Sequence, residues 1–266
     1  MQSFISEKIA SMPKFNDKIL KILSSFENAS SDDEVIFQIM NNPEFESRIL
    51  DYAFSTFAQI SMEKTLPNAF KFYGREGVRA LFLFSIFKGK FELNFECYKT
   101  DRARFNEISL KRHLFLKEWI KFYPEISPDI LSSVILMDFG RVFISEYIAK
   151  HDKNSEFYLH IKNCLFPQDF TDVEMRFTGM SRESVGEVLF KHFGLEKIAK
   201  DIYFSDLIDE APFESARRYE MLKVAKTVMG IYHCFDERSI DNALNLLVEF
   251  GLEQEAFFEA KIRAGL

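Results

Sequence analysis

Acid–base or metal chemistry in this chain would have to draw on five histidines, His113, His151, His160, His192 and His233. No two of them have the compact spacing by which one helix face presents a pair of ligands to a metal. Cys97, Cys164 and Cys234 lie far apart with no Cys-x-x-Cys pair, so neither a zinc knuckle nor a disulfide framework is expected, and the compartment should be reducing. Serines, cysteines and histidines are present, but no nucleophile elbow or comparable signature arranges them for covalent catalysis. Gly74-Arg75-Glu76-Gly77 is too sparse for a phosphate-cradling loop and reads as a helix junction. A basic stretch, Lys99, Arg102, Arg104, Lys111, Arg112, Lys117 and Lys121, is interleaved with Asp101, Glu107 and Glu118. It reads as a solvated helix face rather than a phosphate-binding stripe.

The elements that would position such residues are helical. Ile19, Leu20, Ile22, Leu23 and Phe26 form one apolar stripe, Val185, Val188, Leu189 and Phe193 a second, and Ile240, Ala243, Leu244, Leu247 and Val248 a third. Alternating strand patterns are hard to find, so the predicted class is all-α, with about a dozen helices. Ser31 with Glu34 and Thr171 with Glu174 have capping-box spacing. Asn42-Pro43 and Ser127-Pro128 place a capping residue before a proline suited to a first helical position. Gly194 and Gly251 are expected to end helices.

The chain has 266 residues, 47% of them apolar and 28% charged, which is enough apolar surface for a sizeable core and excludes a disordered chain. Thirty-one phenylalanines point to a core packed with rings. A net charge of −7 argues against a general nucleic-acid binder. The segment from Met1 to Ser11 lacks the apolar stretch of a signal peptide. The longest apolar run, around Ala80 to Phe87, falls far short of the roughly 20 residues of a membrane helix. A cytoplasmic protein that uses no membrane is expected.

Several short strings share an order and spacing with a known family. Met12-Pro13-Lys14-Phe15, Asn42-Pro43-x-Phe45, Arg48-Ile49-Leu50, Ala53-Phe54-Ser55, then Ala69, Tyr73-Gly74 and Val78-Arg79 follow one another in the first half. In the second half come Val134-Ile135-Leu136-Met137-Asp138-Phe139-Gly140, then Glu174, Gly179, Ser181, Arg182 and Gly186, then Ser205-Asp206. Together they resemble the HDOD domain, an HD-related output domain and degenerate relative of the HD and HD-GYP phosphohydrolases. The departures lie at Asn16, where a second proline is usual, and at Phe54, where asparagine is usual. The resemblance covers roughly Ser3 to Asp209. It implies an HD-like multi-helix fold in two packed sub-bundles over residues 1–210, the first ending near Gly89 and the second starting near Phe105. Ala211-Pro212 marks a seam, and residues 211–266 would form a C-terminal helical extension.

By the same resemblance, Met137, Arg182 and Ser205 stand where HD enzymes carry histidines that hold divalent metal. A neutral thioether is a poor ligand for hard or borderline cations, and a guanidinium repels them, so no metal and no cofactor are expected. Asp138 either caps or hydrogen-bonds within the second bundle, or pairs with Arg182 across the two helices that metal once bridged. His113 lies on the helix that carries an upstream ligand in some HD enzymes. His113, Asp138, Arg182 and Asp206 are therefore the candidate lining of a vestigial pocket, with no catalytic residue among them. The implied function is a non-catalytic signalling module, of a kind found in bacterial signalling, whose partner is another protein. Two alternatives stay open: a divergent metal-dependent phosphohydrolase acting on nucleotides or cyclic dinucleotides, and a small-molecule sensor that keeps the old cavity, with Arg182 available to a phosphate.

Overall fold

A computed structural model of the protein describes residues 2–55, 62–164 and 166–266. The described residues form helices α1 (Gln2–Ala10), α2 (Asp17–Asn28), α3 (Asp32–Met40), α4 (Pro43–Ser55), α5 (Leu66–Lys90), α6 (Arg102–Trp119), α7 (Ile130–Leu136) and α8 (Gly140–Lys150). They continue with α9 (Asn154–Ile161), α10 (Pro167–Thr178), α11 (Arg182–His192), α12 (Glu196–Phe204), α13 (Ala216–Val228), α14 (Glu237–Phe250) and α15 (Gln254–Arg263). The only strand-like pairing among the described residues is an isolated bridge between Met229 and Cys234. The all-α class is what the sequence predicts. Helices outnumber the expected dozen partly because α7, Ile-Leu-Ser-Ser-Val-Ile-Leu, is buried along its whole length and offers no polar face to mark a period. Among the described residues no helix is long and apolar enough to cross a membrane.

Local signals explain most boundaries. Ser31 caps α3 by accepting from the Glu34 amide, while the Glu34 carboxylate reaches back to the Ser30 amide at 3.1 Å. The Thr171–Glu174 box does not form. Pro167 starts α10 four residues earlier, the Phe166 amide donates to Asp169 at 2.8 Å, and Thr171 lies buried inside the helix. Glu174 is thereby freed for an interior role. Asn42 precedes α4, but its amide side chain donates to Gln38 on the preceding helix, and α7 starts two residues after Pro128. Gly74 kinks α5 with φ of 71°, a left-handed conformation that glycine adopts without strain, and so serves as the expected junction.

Phenylalanines fill the centre. Phe139, between α7 and α8, packs its ring against Phe84, Phe87, Phe91 and Phe105 at centroid separations of 5.3–6.2 Å. This wedge holds the neighbouring Asp138 in place. The last fifth of the chain shares the same core: Met221, Leu222, Val224, Ala225 and Val228 of α13 are fully buried, and Phe257 of α15 packs on Phe115 and Trp119 of α6.

Candidate functional site

The α7–α8 junction, α6, α10, α11, the end of α12 and α13 bring their charged residues together inside the protein. The approach of α8 to α11 depends on Gly140, where a Cβ would stand 2.0 Å from the carbonyl oxygen of Arg182. Asp138, 3% exposed, makes a direct ion pair with Arg112 through Oδ2, lies 3.1 Å from Arg141 Nη1 through Oδ1, and 4.0 Å from Arg182 Nε. Burial alone would raise its pKa. The guanidiniums of Arg112, Arg141 and Arg182 outweigh that and hold the carboxyl well below the usual carboxylate range.

Arg182 has closer partners than Asp138. Its Nε lies 2.9 Å from Glu183 and its Nη1 3.6 Å from Glu174, whose other oxygen accepts the Arg182 backbone amide at 3.0 Å. Tyr98 donates to Glu174 at 3.0 Å. Burial works against the Arg182 charge, but Glu183, Glu174, Asp138 and Asp206 together raise its pKa further. Lys226 of α13 completes the cluster, donating to Glu183 at 3.0 Å and Asp206 at 2.8 Å. Burial pushes the Asp206 pKa up, but Lys226, with Arg182 and Lys223, brings it below the ordinary value. Arg112, Arg141, Arg182 and Lys226 thus face Asp138, Glu174, Glu183 and Asp206, four cations against four carboxylates.

Of the four residues expected to line a vestigial pocket, Asp138, Arg182 and Asp206 meet in this cluster, and His113 does not. His113 points from α6 towards α5, its ring 5.5 Å from that of Tyr73 and its Nε2 beside Gly77. The neighbouring residue, Arg112, turns inward instead, because adjacent helix positions lie about 100° apart. Reading the basic stretch as a solvated face therefore fails at Arg112 and Lys117, which are 1% and 9% exposed. The helix α6 is enclosed by α5, α7, α13 and α15. Arg112, Arg141, Glu183 and Lys226 were not singled out as site residues by the sequence. The unbroken apolar run Leu114-Phe115-Leu116 just after Arg112 was the one signal that its helix is buried.

The space left between Met137, Asp138, Arg182, Ser205 and Lys226 is a cavity of about 20 Å³, room for about one water and not for a nucleotide. A divalent cation there would meet four cationic side chains, a thioether, and two carboxylates, Asp138 and Glu183, already committed to those cations. The residues present do not fit a metal. Among the described residues, no three His, Cys, Asp or Glu side chains are grouped so as to hold one.

The arrangement of the helices has counterparts among solved structures. A protein from Shewanella amazonensis provisionally described as a phosphohydrolase superposes with a TM-score of 0.71 at 16% identity, over 99% of this chain and 94% of its own. An HDOD domain protein of unknown function from Geobacter sulfurreducens gives 0.57 at 17% identity, over 99% and 97%. The fold is of the HDOD type. A protein from Marinobacter aquaeolei provisionally described as a signal transduction protein gives 0.64 at 14% identity, over 97% of this chain and 59% of its own. The HDOD-type matches run through α13–α15, beyond the stretch in which sequence strings resemble the family. No protein-family model matches the sequence, and no curated protein does.

Proposed function

We propose that the chain is a regulatory module of the HDOD type that acts in signal transduction by binding another protein, without catalysing a reaction. The observation that carries this reading is the ion-paired cluster. Around the positions where the resemblance puts the metal-binding histidines of HD enzymes, Arg112, Arg141, Arg182 and Lys226 neutralise Asp138, Glu174, Glu183 and Asp206. A buried network of this kind fixes the relative positions of the helices that contribute to it, and it need not add net stability. It leaves neither an open coordination position nor room for substrate, both of which metal-assisted hydrolysis needs. A rigid helical body then has its outer surface to offer a partner, and the described similarity to a signal transduction protein is in keeping with that role.

The test has two arms on the full chain. Tagged protein is used to capture partners from the lysate of its native organism, with an unrelated helical protein as control, and the enriched candidate is purified and titrated against it. Metal content is measured in parallel after incubation with manganese, iron, zinc or magnesium. A reproducible signalling protein that binds saturably, with no stoichiometric metal, is the expected result. About one equivalent of tightly held transition metal that is lost in Asp138→Ala would overturn the reading in favour of a phosphohydrolase.

A further inference from the structure

A second, larger cavity lies against the outer side of the ion cluster, between α8, α10, α11, α13, the first turns of α14 and the turn that joins α13 to α14. Its volume is about 40 Å³. Four cationic side chains line it, Arg141, Arg182, Lys226 and Arg238, and no carboxylate does among the described residues. The acidic partners of the first three lie on the cluster side, so the two faces of the same side chains differ in sign.

The donors on this face are not used up. Nη1 of Arg141 and Nη1 of Arg182 lie within ion-pair distance of Asp138 and Glu174 on the cluster side but make no hydrogen bond there, so each guanidinium, with five N–H donors, still has donors to offer. Both side chains are 5% exposed. An ammonium has three protons, and Lys226 commits two, to Glu183 and Asp206. Arg238 is exposed at the rim, and Asn242 adds an amide. Asp236, the acid near this rim, is engaged in capping α14 through the Ser239 amide and in holding His233.

We propose that this cavity is a binding site for a phosphate group, carried either as the free ion or as the end of a phosphate monoester. The interior cluster is charge-balanced, so the anion is drawn by Arg238 and held by donors that their carboxylates have already oriented. Guanidinium and ammonium groups fixed in this way match an oxyanion in geometry and in charge. Size sets the class of ligand. At the ~10–15 Å³ that each water needs, 40 Å³ admits about three waters, the span of a tetrahedral oxyanion. A nucleoside would have to remain outside the mouth. The aromatic walls, Phe166, Phe170 and Tyr232, with Phe170 and Tyr232 stacked at 5.6 Å, could shelter the first atoms of an ester. The site does not depend on whether the chain signals through a protein partner.

Calorimetric titration of the full chain with inorganic phosphate, and separately with phenyl phosphate, tests the site. Saturable binding of one phosphate per chain is expected, weakened by about tenfold or more in Arg238→Glu and in Asn242→Asp, as befits loss of a charge-assisted contact. Arg238 is exposed and Asn242 half-buried, so both variants should keep the circular dichroism and melting temperature of the parent. Tighter binding of inorganic phosphate identifies the free ion as the source, and tighter binding of phenyl phosphate identifies a monoester. Either ordering supports the site. No saturable binding of either probe, or binding that neither substitution changes, would overturn it.

Discussion

Two buried side chains that are adjacent in sequence illustrate opposite solutions to burying a basic group. Arg112 keeps its charge by pairing with Asp138, whereas His113 has no charged partner and neither of its ring nitrogens makes a hydrogen bond of good geometry. Burial depresses the His113 pKa to about 3, opposed only in part by the backbone of Leu131. In the unfolded chain the same imidazole titrates near ~6.5. The unfolded state therefore takes up the proton first as pH falls, so the stabilisation is complete above about 6.5 and is lost as pH drops towards the folded value. Urea unfolding between about pH 6 and pH 4 should show a loss of about 1.4 kcal/mol per pH unit from this one group. His113→Leu should remove that slope at little cost at neutral pH, since it also removes two buried ring nitrogens that lack a hydrogen bond of good geometry. An unchanged slope in the variant would place the titrating group elsewhere.

Between elements, the decisive contact is the crossing of α8 and α11 at Gly140. Glycine at this position brings the α8 backbone against the carbonyl of Arg182, and this sets the distances between Asp138, Arg141, Arg182 and Glu174. Gly140→Ala would force the two helices apart, because the atom in the way is backbone and cannot rotate aside. The expected cost is about 1–3 kcal/mol or more, read as a lower urea midpoint with an unchanged m-value. A neutral substitution would mean that the helices can separate freely, and the ion cluster would then not be a rigid feature.

For the whole molecule, the question is whether residues 211–266 are an appendage or part of the fold. Arg218 of α13 ties Asp201 on α12 to Asp129 before α7, Lys226 closes the ion cluster, and Glu253 donates its amide to Tyr123 at 2.9 Å. Removing this segment would strip away the fully buried side chains of α13 and uncover the core surface they pack against, including Phe115 and Trp119 of α6 under Phe257. We expect a chain ended at Ala211 to lose cooperative folding, and the full chain to melt in one calorimetric transition with matching calorimetric and van't Hoff enthalpies. Two resolved transitions, or a truncated chain with a normal melt, would show a separable extension.

The all-α class, the apolar stripes of α2, α11 and α14 apart from Leu20 and Val248, which are exposed, the glycine at the α5 kink and the left-handed glycines after α11 and α14 could all be read from the chain, because each depends on neighbours three or four residues away. What the sequence could not decide is which charges meet. Asp138 was legible as a candidate, but its closest partner, Arg112, lies 26 positions away, and nothing local separates the inward Arg112 from His113 beside it. Lys226, on a helix beyond the recognised strings, closes the cluster from 43 residues after Glu183. Periodicity reports the face of a helix only when that face is wholly apolar or wholly solvated. A helix enclosed on all sides carries charges that pair across the core, and those pairings exist only once the chain has folded.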